Sequence, residues 1–183
     1  MKSTPRANLL GTAVRGMILV AVTFVATAAH AGIKSERVLA AIIRNTPAST
    51  VVDRGTQVKT AEKAAALIPG AEAMWGVGES MEPLYSSHTA IVVAPIAYKD
   101  LKKGMTVVYM NRRGNMVAHS LTGDLPKGWV AQGVGNDAED DDLVTADNLM
   151  GVIVQAYSEA NSEYRTMIAK QLIAKGRLPA GQS

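Results

Sequence analysis

Short apolar runs separated by turn residues are the feature that most constrains the fold of this 183-residue chain. Runs of this length, bounded by Gly, Pro and Asn, are typical of β-strands. The runs lie at residues 73–77, 89–95, 105–110, 116–121, 129–132 and 149–157, and residues 111–115 have the composition of a hairpin loop. Four to six such strands closed by glycine turns predict a mainly β fold, a small and mainly antiparallel sheet or barrel with peripheral helices.

Helical patterns flank this region. Residues 35–43 carry apolar side chains at helical spacing, and Pro47 ends that helix because the residue before a proline avoids helical backbone. Thr60 is predicted to cap a second helix that Pro69-Gly70 stops. The predicted divisions are an export segment or membrane anchor at 1–31, a helical segment at 32–70, a β domain at 71–157 and a C-terminal helix or tail at 158–183.

The first 31 residues have the organisation of an export signal. Three basic residues (Lys2, Arg6 and Arg15) accompany an apolar run over 16–29, and Ala29-His30-Ala31 has the A-x-A cleavage pattern. The run is shorter than the roughly 20 residues that span a bilayer as a helix, which favours a cleaved signal peptide. An uncleaved anchor is the alternative, because apolar residues before Arg15 extend the run. Either way the chain is expected to be exported, to the periplasm or the outer face of the inner membrane, with membrane association possible.

Charge and composition exclude several classes of function. The formal charge is +3, but the export segment holds three basic residues and no acidic ones, so 16 basic and 16 acidic residues remain after it. A neutral remainder without a Lys/Arg cluster argues against a nucleic-acid partner. The chain has no cysteine, which excludes thiol catalysis, disulfides and thiolate metal sites. No cofactor is predicted.

The segment Gly78-Glu-Ser-Met-Glu-Pro83 indicates a serine held on a tight turn. Gly78 permits a tight backbone before Ser80, and Pro83 sets the direction in which the chain leaves. A backbone N–H beside Ser80, within the Gly78–Met81 turn, is a candidate oxyanion donor. The alternative is an ordinary Gly-Ser turn with Met81 as a core residue.

A serine hydroxyl needs a base within hydrogen-bond reach to act as a nucleophile. His119, 39 positions after Ser80 on a predicted strand, is the candidate. Its alternative role is that of a structural residue of the sheet. His88 is the competing base, in a turn eight residues after Ser80, and His30 falls within the export segment.

An acidic loop follows the strand at 129–132, with five acidic residues among positions 137–142. Its spacing departs from the alternating oxygen ligands and glycine of an EF-hand loop, so no metal site is predicted. One interpretation is a solvated acidic loop. The other is that one aspartate orients His119, as the third member of a Ser-His-Asp arrangement does.

These segments together resemble the signal peptidase I superfamily, which also includes the self-cleaving repressors of the SOS response. Residues 78–83 resemble its nucleophile box, and residues 104–109 resemble its second box. Residues 116–121 resemble the strand that carries the general base, which is histidine in one branch of the family. Residues 132–143 resemble the loop that follows this strand in the family, and residues 147–154 resemble the family's closing strand. The resemblance therefore covers roughly residues 72–157.

The resemblance implies that Ser80 is the nucleophile, His119 the general base and Asp140 the third residue, with Asp141 as the register alternative. Three positions depart from the family pattern. Met105 and Val134 replace aspartates, and Ser120 stands where the family usually has arginine.

The implied function is that of a signal-peptidase-like serine endopeptidase, which hydrolyses peptide bonds of exported proteins. Its substrate would dock as an added strand and carry small residues near the scissile bond. The replacements at Met105 and Val134 motivate the alternative, a non-catalytic exported binding or assembly module that keeps the fold. A self-cleaving repressor is the third candidate, but residues 32–70 lack the basic recognition helix that it would need.

Overall fold

The computed structural model describes residues 33, 35–159 and 163–181; the predicted export segment at 1–31 lies outside them. The described part contains α1 (Glu36–Asn45), β1 (Ser49–Val51), α2 (Gln57–Ala65), β2 (Glu72–Trp75), β3 (Ala90–Ala94), a 3-10 turn (Tyr98–Asp100), β4 (Thr106–Met110), β5 (Met116–Leu125), β6 (Gly128–Gln132), β7 (Leu149–Ser158) and α3 (Glu163–Ala174). None of the helices in this part is long and apolar enough to cross a membrane.

The seven described strands form one sheet. Six of them lie in the order β2-β3-β7-β4-β5-β6, in which all neighbours are antiparallel. β1 runs parallel to the C-terminal part of β7, beyond the stretch of β7 that pairs with β4. The predicted mainly β fold with an antiparallel sheet is confirmed. The barrel alternative is wrong, because the end strands β2 and β6 do not pair and the sheet stays open.

β1 is a strand that the sequence did not predict, and it raises the count to seven. It pairs with β7 from Ser49 opposite Ala156 to Val51 opposite Ser158. Two of its three residues are exposed and none is buried, so it has no alternating apolar pattern. Only a partner more than 100 positions away in the chain makes this segment a strand.

The predicted start of the second helix is also wrong. α2 begins at Gln57, and its N-cap position is Thr56. The hydroxyl of Thr60 donates to the backbone carbonyl of Thr56 at 2.8 Å, one turn back inside the helix. Thr60 therefore lies inside the helix and not at its N-terminus, where a cap would accept from the unpaired N–H groups. The helix ends at Ala65, before the predicted stop at Pro69-Gly70.

Successive side chains of a strand point to opposite faces of the sheet, so the core has one part on each face. On β4, Val108 belongs to the cluster that packs against α1 and α3, whereas Val107 and Tyr109 belong to the second cluster. Val107 lies opposite His119 on β5, and Tyr109 lies opposite Val117. Tyr109 and His119 therefore share a face of the sheet.

Gly104, just before β4, is the described glycine at which an added Cβ would approach its neighbours most closely. Its φ is +87°, and a Cβ there would lie 2.2 Å from the carbonyl carbon of Ala41 on α1. We expect Gly104→Ala to lower the free energy of unfolding by about 2–5 kcal/mol, from backbone strain and overpacking together. Urea denaturation measures the loss. The control is Gly114→Ala, with φ +77° and open space around it, which should cost only the strain, about 1–2 kcal/mol; equal losses would contradict the packing argument.

Candidate active site

Ser80 lies in the compact loop between β2 and β3. The N–H of Glu82 donates to the carbonyl of Glu79 at 2.9 Å, and the N–H of Tyr85 donates to the carbonyl of Met81 at 3.0 Å. Gly78 has a φ of +102°, which favours glycine. Met81 is buried in the core and anchors the loop, whereas Ser80 is half-buried. The tight turn and the core role of Met81 are therefore both present.

Two glycines of the loop after β6, Gly133 and Gly135, pack against the backbone of the Ser80 turn. The N–H of Gly135 donates to the carbonyl oxygen of Ser80 at 2.9 Å. A Cβ at Gly133 would lie 2.5 Å from that same oxygen, and one at Gly135 would lie 2.6 Å from the carbonyl oxygen of Glu82. Only glycine allows this approach of two backbones. Sequence reasoning missed this role, although the Gly-Val-Gly spacing was a signal for it.

His119 reaches Ser80 from β5. Its Nε2 lies 2.9 Å from Ser80 Oγ, and its Nδ1 lies 2.6 Å from Asp140 Oδ2. The residue is 7% exposed, so the imidazole is largely shielded from water. The tautomer with its proton on Nδ1 satisfies both contacts, because Nδ1–H then donates to the carboxylate and Nε2 accepts from the serine hydroxyl.

Asp140, and not Asp141, is the aspartate that contacts His119. The N–H of Asp140 donates to the carbonyl of Ala131 at 2.8 Å, which ties the acidic loop to β6. Asp141 is exposed, and Asp142 pairs with Arg112. The backbone N–H of Arg112, followed by its guanidinium, holds the pKa of Asp142 below its usual range. The loop thus combines one half-buried carboxylate that contacts His119 with solvated and paired ones.

Tyr109 makes a second contact with Asp140 that sequence reasoning did not predict. Its hydroxyl donates to Oδ2 of Asp140 at 2.7 Å. Burial, and then the neighbouring Asp140 carboxylate, raises the pKa of the Tyr109 hydroxyl well above its usual range. The hydroxyl therefore stays protonated and acts as a donor.

The backbone beside Ser80 offers free donors. Within residues 35–159, the N–H groups of Ser80 and Met81 meet no acceptor, whereas the N–H of Gly78 donates to Ser87 Oγ at 3.3 Å. A carbonyl oxygen placed over Ser80 could accept from the first two groups. Of the two predicted turn residues, Met81 rather than Gly78 has an amide available for this role.

His88 makes no hydrogen bond with Ser80 among the described residues. It is exposed, has a φ of +71°, and its ring lies 5.8 Å from that of Trp75. The two histidines of the described chain thus differ in position, and only His119 lies within hydrogen-bond distance of Ser80.

The three positions that depart from the family pattern contribute to packing. Val134 is buried in the core cluster that contains Met81, and Met105 packs against the other cluster. Ser120 is fully buried, and its hydroxyl lies 2.9 Å from that of Thr106. The contacts among Ser80, His119 and Asp140 form without aspartates at positions 105 and 134.

Two depressions meet at His119. The first, of about 280 Å³, lies beside Ser80 and is mainly apolar; Val77, Met81, Ile91, Ala118 and Ile153 are among its lining residues. The second is a groove of about 1000 Å³ between the hairpin loop at 111–115 and the acidic loop at 135–142. An extended chain that crosses Ser80 could therefore place a small apolar side chain in the first depression and continue beside the second.

Among residues 33, 35–159 and 163–181, no three His, Asp or Glu side chains are arranged to hold a metal ion.

The likeness to the signal peptidase I superfamily rests on the motifs quoted above. The chain matches no protein-family model, and no curated protein and no solved structure is significantly similar to it.

Proposed function

We propose that this protein is a serine endopeptidase resembling signal peptidase I, which hydrolyses peptide bonds of exported proteins. One observation carries the proposal, namely the continuous contacts from Ser80 Oγ to His119 Nε2 and from His119 Nδ1 to Asp140 Oδ2, at 2.9 and 2.6 Å. This is the order of groups that activates a serine hydroxyl in unrelated hydrolases.

The chemistry follows from these contacts. Ser80 Oγ attacks the peptide carbonyl while His119 Nε2 takes its proton, and Asp140 stabilises the resulting imidazolium. The free N–H groups of Ser80 and Met81 bind the oxyanion. His119 then gives the proton to the leaving amine, and an acyl-serine remains. A water molecule, deprotonated by His119, hydrolyses the ester and restores the hydroxyl.

The surroundings of Ser80 suit an extended peptide. Among the described strands β2 pairs only with β3, which leaves its other edge without a strand partner there, and β2 leads directly into the Ser80 loop. A peptide that adds to a sheet edge gains main-chain hydrogen bonds, and side-chain pockets then supply specificity. The apolar depression of about 280 Å³ admits a small or medium apolar side chain before the scissile bond.

Ala118 lines that depression and offers a test of specificity. We expect Ala118→Phe to fill part of it and to lower kcat/KM by about 10- to 200-fold for peptides with valine or leucine before the scissile bond. A matched peptide with glycine there should lose much less, because it places no side chain in the pocket. Competition between the two peptides, followed by mass spectrometry, measures the change in preference; equal losses would contradict this assignment of the pocket.

The experiment that tests the proposed function compares the wild-type chain with Ser80→Ala on a panel of peptides. The alternative is a non-catalytic exported binding or assembly module, and under it neither chain cleaves any peptide. A fluorophosphonate, whose attachment site is located by peptide mass spectrometry, tests Ser80 without a substrate. Labelling of Ser80 would mean that the serine is active and the peptides were unsuitable, whereas no labelling would mean that the site is inactive.

A further inference from the structure

We infer that Tyr109 is a positioning residue, whose hydroxyl fixes the Asp140 carboxylate in the orientation that His119 requires. The inference deepens the proposed function and rests on it. The Tyr109 hydroxyl donates to Oδ2 of Asp140 at 2.7 Å, and the same oxygen lies 2.6 Å from His119 Nδ1. One carboxylate oxygen thus receives both contacts.

The sheet determines where the Tyr109 hydroxyl lies. Tyr109 is 1% exposed, and its ring packs in the cluster that contains Leu121 and Val144. Its strand β4 pairs with β5 in a register that places Val107 opposite His119. A donor on a central strand is held more firmly than one on a loop, so its position relative to the imidazole is constant.

Asp140, in contrast, lies on a loop with other acidic residues. Its side chain is 14% exposed, and the sequence neighbours Glu139 and Asp141 carry like charges. Repulsion within this group favours rotation of the carboxylate toward water. A neutral donor opposes that rotation without adding a cation that would compete with the imidazolium for Asp140. Tyr109 meets this requirement because its hydroxyl stays protonated.

Tyr109→Phe tests the inference, since it keeps the ring and removes only the hydroxyl. We expect kcat on a cleaved peptide to fall about 10- to 100-fold, the range for a lost hydrogen bond to a charged group. KM should change less than about twofold, because the hydroxyl acts through Asp140 in the transition state and not on bound substrate. A fall expressed mainly in KM would overturn the inference.

Tyr98→Phe is the matched control. The Tyr98 hydroxyl donates to the carbonyl of Val144 at 3.2 Å, and its ring packs against the same cluster as Tyr109. Both variants lose one hydrogen bond of a tyrosine hydroxyl, but only Tyr109→Phe should lower kcat. Equal kcat values in the two variants would overturn the inference. A double variant adds a second check: in an Asp140→Asn background, Tyr109→Phe should lower kcat no further.

A readout independent of turnover separates this inference from the proposed function. In proton NMR spectra of the full chain, the His119 Nδ1 proton should give a downfield resonance that Tyr109→Phe shifts or broadens and Tyr98→Phe leaves unchanged. If the wild type cleaves no peptide and the fluorophosphonate does not label Ser80, the proposed function fails, and this resonance still decides the role of Tyr109. A resonance that is the same in wild type and Tyr109→Phe would overturn it.

Discussion

Replacing Ser80 with alanine should reduce kcat/KM for peptide cleavage by about 10⁴-fold or more. The alanine side chain has no hydroxyl to attack the carbonyl, so the acyl intermediate cannot form, although the oxyanion donors and the binding edge remain. Chromatography with mass spectrometry on a peptide panel measures the residual rate. The fold should be retained, because Ser80 is only half-buried and its backbone contact with Gly135 does not involve the side chain.

His88→Asn is the control for this comparison. His88 lies in the same loop without a hydrogen bond to Ser80 in the described chain, and asparagine tolerates its positive φ of 71°. This variant should cleave at the wild-type rate, whereas His119→Asn should be as inactive as Ser80→Ala. Equal cleavage by Ser80→Ala and wild type would rule out Ser80 as the nucleophile. If His88→Asn lost cleavage and His119→Asn kept it, His88 rather than His119 would be the general base.

Asp140→Asn should lower kcat by about 10⁴-fold. An amide at this position can present its N–H group to Nδ1 of His119, which favours the tautomer with its proton on Nε2. That nitrogen would then donate to Ser80 Oγ and could not take the serine proton. Asp140 acts through His119 in the transition state, so KM should change less than kcat. Steady-state kinetics on one cleaved peptide give both quantities.

Asp141→Asn is the matched control, since it makes the same chemical change one residue along an acidic loop. Asp141 is exposed and lies outside the hydrogen bonds of His119, so its replacement should leave kcat within about twofold of the wild-type value. If Asp141→Asn lowered kcat more than Asp140→Asn does, Asp141 rather than Asp140 would be the third residue.

Six of the seven strands could be predicted because their residues carry a local signal. Val92 and Val107 belong to apolar runs; Pro95 closes the first, and Gly104 and Asn111 bound the second. β1 could not be predicted, since it is exposed and becomes a strand only by pairing with β7. The start of α2 was missed for a related reason: Thr56 and Thr60 are equally good caps in sequence, and only the backbone decides between them.

The sequence by itself determined which residues were candidates. Ser80 on a glycine turn, His119 on a strand and an acidic loop after the next strand are patterns of neighbouring residues, and such patterns follow from local backbone preferences. Only the tertiary structure decided that Asp140 rather than Asp141 contacts His119, that Tyr109 contacts Asp140, and that Gly133 and Gly135 pack against the Ser80 turn. These contacts depend on strand register and on the approach of distant loops. A shift of one residue along its strand would turn Tyr109 or His119 to the opposite face of the sheet.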